Sequence, residues 1–184
     1  MSQYYLISQL PSLDGIIDSV PLPITEERFS ELCSRFLSKK TLDELDSLTL
    51  IPSKFSENIN STLLESWYTV ERNLRFALGK LRAEKLNKSF EFDNMTLPTE
   101  LLQTARTAVE FNDPLESEKF LNNFRLKALE ALRPMDNFSE DYLFYYKIKL
   151  KLILRIREFD KLRGQTAYRN IYDSVINRAE SEVE

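Results

Sequence analysis

The sequence predicts an all-α protein, a helical bundle-like single domain over residues 1–184 with two long helices and several shorter ones. Three observations carry that expectation. Apolar residues recur at three- and four-residue spacing in segment after segment, Ser, Thr and Asp stand where helices need N-caps, and apolar/polar alternation is confined to residues 147–152. That alternation lies inside the densest apolar stretch, FSEDYLFYYKIKLKLILRIREFDKLR at 138–163. Ser139 is a good N-cap there, Glu140 and Asp141 suit the positive end of a helix, Lys161 and Arg163 suit the negative end, and Gly164 can terminate it. The stretch is therefore read as one helix of about 25 residues, roughly 37 Å long at 1.5 Å per residue.

Taken from the amino terminus, YYLISQL at 4–10 is either a short strand or arm over the core, or the start of a helix ended by Pro11. Pro11, Gly15, Pro21 and Pro23 then exclude a regular helix through PSLDGIIDSVPLPIT. Thr25 is an N-cap followed by Glu26 and Glu27, and Phe29, Leu32, Cys33, Phe36 and Leu37 form the inward stripe of an amphipathic helix. A short helix over 39–48 turns Leu42, Leu45 and Leu48 inward. From 60 to 87 runs the first long helix, whose Trp67, Val70, Leu74, Ala77 and Leu81 follow the spacing of a seam between packed helices. Its basic residues include Arg72, Arg75, Lys80, Arg82 and Lys85, with Glu71 placed to pair with Arg75 at i,i+4.

Residues 88–98 are polar and irregular, and Pro98 opens a helix with Leu101, Ala105, Ala108 and Val109 inward. Asn112 breaks it. Asp113 caps the next helix, with Pro114 at its first position, and Pro134 ends it. After the central helix, residues 165–178 form a last helix with Tyr168, Ile171, Tyr172, Val175 and Ile176 inward, and the acidic tail AESEVE frays. A weak internal echo, in which each long helix follows a short Phe- and Leu-patterned one, allows an alternative division into two similar helical units, about 25–90 and 98–180.

Winding the central helix at about 100° per residue puts Lys147, Lys151, Arg155 and Glu158 on one narrow face and apolar side chains around most of the rest. Lys149 and Arg157 fall on the apolar side, where an unpaired charge is costly to bury. They either snorkel, pair with acids, or mark a surface completed by another protein. Lys147, Lys149, Lys151, Arg155 and Arg157 are thus the candidate partner interface, with Lys149 and Arg157 the first places to look.

Composition narrows the chemistry. A net charge of -4 disfavours a general nucleic-acid role. The single cysteine, Cys33, permits no internal disulfide, suits a reducing compartment, and lies on an apolar helix face as an inert thiol. The amino terminus has no signal-peptide pattern and no apolar run approaches the roughly 20 residues of a membrane span, so a cytoplasmic protein is expected. With no histidine, Ser-His-Asp and Cys-His machinery and histidine-containing zinc sites are excluded. With only Gly15, Gly79 and Gly164, so are phosphate-cradling loops and the dinucleotide fingerprint. No cofactor or metal site is expected, and an enzyme would depend on carboxylates such as Glu116, Glu118, Asp141 or Glu158, or on Lys, Tyr or Cys33.

Two stretches carry a resemblance. QYYLISQLPSLDG followed by PLPITEERFSELC, and later NDPLESEKFLNNFRLKALEAL followed by FSEDYLFYYKIKLKLILRIREFDKLRG, resemble a family of small bacterial proteins encoded among the subunits of V/A-type ATPases. The later run is also remotely similar to the repeated helical units of the V-type ATP synthase central-stalk protein known as d in eukaryotic enzymes, and LRAEKL in the first long helix fits as well. The first likeness spans most of the chain and the second mainly 113–163, and neither includes a catalytic signature. The resemblance implies a non-catalytic subunit or accessory factor of a rotary ATPase. Its partners would be the rotor shaft and membrane ring, and it would reach the inner membrane only through the complex. The central-stalk protein is built of three such units, and 184 residues are too few for all three. The alternative is a helical adaptor or a nucleic-acid binder using basic helix faces.

Overall fold

Eight helices occupy the residues described by the structure, a computed structural model covering 2–16, 21–52, 61–90, 96–158 and 161–181. They are α1 (Ser2–Gln9), α2 (Glu26–Phe36), α3 (Lys39–Ser47), α4 (Thr62–Lys85), α5 (Thr99–Glu110), α6 (Pro114–Ala131), α7 (Glu140–Glu158) and α8 (Lys161–Ser181). No strand occurs among these residues, so the all-α class holds. Of the segments anticipated from sequence, 17–20, the start of the first long helix at 60, residues 91–95, the joint at 159–160 and the tail at 182–184 lie outside the described residues.

Local chemistry sets the ends. Thr25 accepts a hydrogen bond from the Arg28 amide at 3.2 Å, Ser38 from Thr41, Ser61 from Leu64, Asp113 from Leu115 and Ser139 from Tyr142, each offsetting one of the amides that a helix start leaves without a partner. Pro98 stands one position outside α5 as its N-cap, in an extended conformation and with no side chain to cap the first amides. At the far end of α4, Asn87 adopts φ 52°, and the Asn87 and Lys88 amides bond back to the carbonyls of Glu84 and Ala83. That left-handed ending closes the helix without glycine.

Of the two readings of the amino-terminal segment, the helix ended by Pro11 is the one adopted, with Leu6 fully buried and Ile7 nearly so. The end of the central helix differs from the sequence expectation. The central helix is 19 residues long, and Gly164 lies inside α8 rather than ending α7. A solvent-exposed glycine costs a helix only about 1 kcal/mol, which the residues around it offset.

The core falls into two apolar clusters. The first gathers α1, α2, α3, the start of α4, the end of α6 and most of α7, with Phe29, Trp67, Leu143, Ile148, Leu150 and Leu152 at or near zero exposure. The second lies between α4, α5 and the start of α6, where Ala77, Ala105 and Ala108 are buried beside Leu74, Leu101 and Leu121. Small side chains there let α4 and α5 approach closely. Large apolar side chains contribute about 1.5–3 kcal/mol each when fully buried, so the eight buried apolar and aromatic positions along 140–158 make α7 the axis of the larger cluster.

Candidate interaction surface

Lys147, Lys149, Lys151 and Arg155 of α7 are held by acids from four other parts of the chain. Lys147 Nζ lies 3.1 Å from Asp46 on α3, Lys151 Nζ 2.6 Å from Glu26 on α2, and Arg155 Nη2 2.7 Å from Glu118 on α6. Lys149 pairs with Asp14, in the turn after α1, and with Glu130 on α6 at 3.1 Å. Arg157 is half-buried in the last turn. These charges therefore fasten α7 to its neighbours, and a partner arriving on this side meets cations already paired.

The helical wheel sets Lys147 on the polar face and Lys149 on the apolar one. In the fold the Lys147 side chain is 3% exposed and that of Lys149 12%. Lys147 is buried because α2 and α3 cover the face that the wheel leaves open to solvent, whereas Lys149 is half-buried between Asp14 and Glu130.

Around Lys149 the geometry is a compact polar knot. Its ammonium donates to Asp14, to Glu130 and to the Tyr145 hydroxyl at 3.1 Å, while that hydroxyl donates to Glu130 at 2.5 Å. Burial opposes the charge on Lys149, but hydrogen bonds to Asp14, Tyr145 and Glu130 outweigh it and raise its pKa above the ordinary value. The bond from Lys149 holds the Asp14 carboxyl below its usual range. Glu130 is desolvated yet also lowered, through its bonds to Tyr145, Lys149 and Arg133. Burial and the bond to Glu130 push Tyr145 up to about 12. The adjoining Tyr146 hydroxyl donates to the Pro11 carbonyl at 2.8 Å, which locks the first turn of chain onto α7.

A second polar group links the two clusters; its Glu71–Arg75 pair is expected from sequence, its link to Arg125 is not. Glu71 on α4, 1% exposed, receives Arg125 of α6 on both carboxylate oxygens and Arg75 at 2.8 Å. Arg125 also donates to Glu118 at 3.1 Å and to Asn122 at 2.9 Å, and Glu118 in turn receives Arg155. The signal was present: Glu71 stands four residues after Trp67 and three before Leu74, and Arg125 midway between Leu121 and Leu129, all seam positions.

Two features remain open to solvent. An open groove of about 520 Å³ is lined by Glu26, Thr49, Leu50, Ile51, Lys151, Leu154, Arg155 and Glu158. Leu50, Ile51 and Leu154 supply apolar wall and the ion-paired side chains supply rim, an arrangement suited to a partner's side chains. Lys151 and Arg155 are thus the two candidate interface residues that the fold brings to one accessible place. Of the four carboxylates considered for catalysis, Glu158 alone lines this groove; Glu118 holds Arg125 and Arg155, Asp141 receives the Ser61 hydroxyl at 2.5 Å, and Glu116 is exposed in the first turn of α6.

The other open feature is α8, which corrects the sequence reading. Tyr168, Ile171, Tyr172, Val175 and Ile176, expected inward, are 68, 64, 54, 61 and 37% exposed. Every described side chain of α8 is exposed, because the preceding helices already cover α7 and complete the core without it. Cys33, by contrast, is as expected: it is buried, and desolvation pushes its thiol up to about 12.

No group of three or more metal-ligating side chains occurs among the described residues, and no described helix is long and apolar enough to cross a membrane. Comparison with protein-family models, with curated proteins and with solved structures finds no match to this chain.

Proposed function

We propose that this chain is a non-catalytic subunit or accessory factor of a V/A-type rotary ATPase, standing where the central-stalk protein stands between the rotor shaft and the membrane ring. One observation carries the reading: the two stretches that bear the resemblance, far apart in sequence, are joined in the fold. Pro11 and Asp14 of the first receive hydrogen bonds from Tyr146 and Lys149 of the second. A coupling piece needs stiff helices and a complementary surface rather than a nucleophile or cofactor. Ion pairs from α7 to α2, α3 and α6 supply stiffness, and the groove beside Lys151 and Arg155 supplies a surface.

The nucleic-acid alternative has less to stand on, because Lys147, Lys149, Lys151 and Arg155 on α7 are each neutralised by acids of the same chain. Affinity capture from the native host with the tagged full chain tests the proposal. Recovery of rotary ATPase subunits supports it, and capture that retains other native complexes yet yields no ATPase subunit overturns it. Titration with RNA at low salt separates the alternative, which requires binding that weakens steeply as salt rises.

A further inference from the structure

The charge left without a partner in the open groove is negative. Both bases of its lining are committed, Lys151 to Glu26 and Arg155 to Glu118. Glu158, the other acid of the lining, is exposed and forms no ion pair among the described residues. It is also the last residue of α7, the end of a helix where the macrodipole disfavours a carboxylate and favours a cation.

The apolar walls lead to that carboxylate. Wound at about 100° per residue, Lys151, Leu154, Arg155 and Glu158 fall within about 100° of one another, so α7 turns one continuous strip to the groove. Leu154 precedes Glu158 by about one turn, roughly 6 Å along the axis. Leu50 and Ile51, in the chain after α3, supply the remaining apolar wall. Ile51 is 57% exposed although its segment is fixed, because the Thr49 hydroxyl donates to the Ile51 carbonyl at 2.7 Å and the Tyr68 hydroxyl of α4 donates to the Thr49 carbonyl at 3.3 Å. A wall already held in place costs an arriving partner little in ordering.

We propose that the groove receives a basic side chain of a partner protein, with its aliphatic stem against Leu50, Ile51 and Leu154 and its cationic head on Glu158. Arginine fits best: its planar fork meets a carboxylate through two parallel bonds, it is less strongly hydrated than an ammonium, and it is enriched where interfaces bind most strongly. The charge that reads the partner is thus an acid, while Lys151 and Arg155 hold the groove in shape. The inference rests on the proposed function only in taking this groove as the place where a partner subunit docks.

A fluorescein-labelled peptide of Arg and Leu in amphipathic helical order, titrated with the purified full chain and followed by anisotropy, tests it. Glu158→Gln should weaken binding about threefold and Glu158→Lys about tenfold or more, and a peptide of Glu and Leu in the same order should not bind. Because Glu158 stands at the negative end of α7, Glu158→Gln should leave the melting temperature unchanged or raise it, which separates lost recognition from lost folding. Absence of binding by the Arg peptide, binding indifferent to Glu158→Lys, or equal binding of the two peptides overturns the proposal. So does spermidine that displaces the Arg peptide at equal concentration, since the groove would then take a free polyamine. Capture from the host separates this inference from the ATPase reading. ATPase subunits recovered equally by wild type and Glu158→Lys overturn the inference and leave that reading standing, whereas their absence from the wild-type capture overturns that reading and leaves the peptide titration to decide this one.

Discussion

Arg125 Nε and Nη2 lie 3.0 and 3.3 Å from the two carboxylate oxygens of Glu71, joining α6 to α4 at the level where one apolar cluster gives way to the other. Both residues are nearly fully buried, so each makes the other tolerable in a setting that penalises an isolated charge.

Removing one member of that pair should be costly. Arg125→Met or Glu71→Leu alone leaves a buried charge with too few partners and should destabilise the protein by about 3–5 kcal/mol. The double variant should recover much of the loss, because two apolar side chains of similar volume need no counter-charge. Urea unfolding at neutral pH measures all three; single variants within about 0.5 kcal/mol of wild type would show that the pair does not hold the seam.

Asp46 and Lys147 form an unequal pair, 54 and 3% exposed in their side chains. Asp46→Asn leaves the buried ammonium without its carboxylate and should cost about 1–3 kcal/mol. Lys147→Met removes the charge that needs the partner and should cost less. Thermal melts of the two variants check the order, and a reversed order would show that Lys147 is stabilised by something other than Asp46.

The polar knot at Lys149 predicts a loss of stability at both pH extremes. Asp14 and Glu130 have lowered folded-state pKa values, so the stability they contribute is present above their unfolded values and is lost as pH falls through the folded ones, below about pH 4. Lys149 and Tyr145 are raised, so their contribution is present below about pH 10 and declines as pH climbs past it. Lys149→Met should flatten the acid limb of a plot of melting temperature against pH. An acid limb unchanged by that substitution would place the sensitivity elsewhere.

Cys33 should be silent in the native protein. At neutral pH its thiol is buried and protonated, so a disulfide reagent should react with it only after denaturation. Rapid stoichiometric labelling of the folded chain would show that α2 opens readily.

The groove supplies the cleaner probe of the ATPase proposal. Lys149→Glu would break bonds to three residues and so confound folding with binding. Ile51, 57% exposed on the groove wall, does not share that problem. Ile51→Asp should leave stability within about 0.5 kcal/mol and reduce capture of ATPase subunits from the host. Undiminished capture would move the contact away from this groove.

What the sequence determined by itself was local. The caps at Thr25, Asp113 and Ser139, the inward positions of Phe29, Trp67 and Leu74, and the inert setting of Cys33 follow from spacing and from hydrogen bonds made within a few residues, and so were legible in one dimension. Tertiary structure alone decided which faces met something. It buried Lys147, whose helix face reads as polar, by bringing Asp46 to it from 101 residues away. It placed Glu71 and Arg125 together across 54 residues. And it left the stripe of α8 uncovered although its periodicity matches that of a buried helix. The reason is physical: an amphipathic pattern states that a face needs cover, while only the packing of the whole chain decides whether that cover comes from within it.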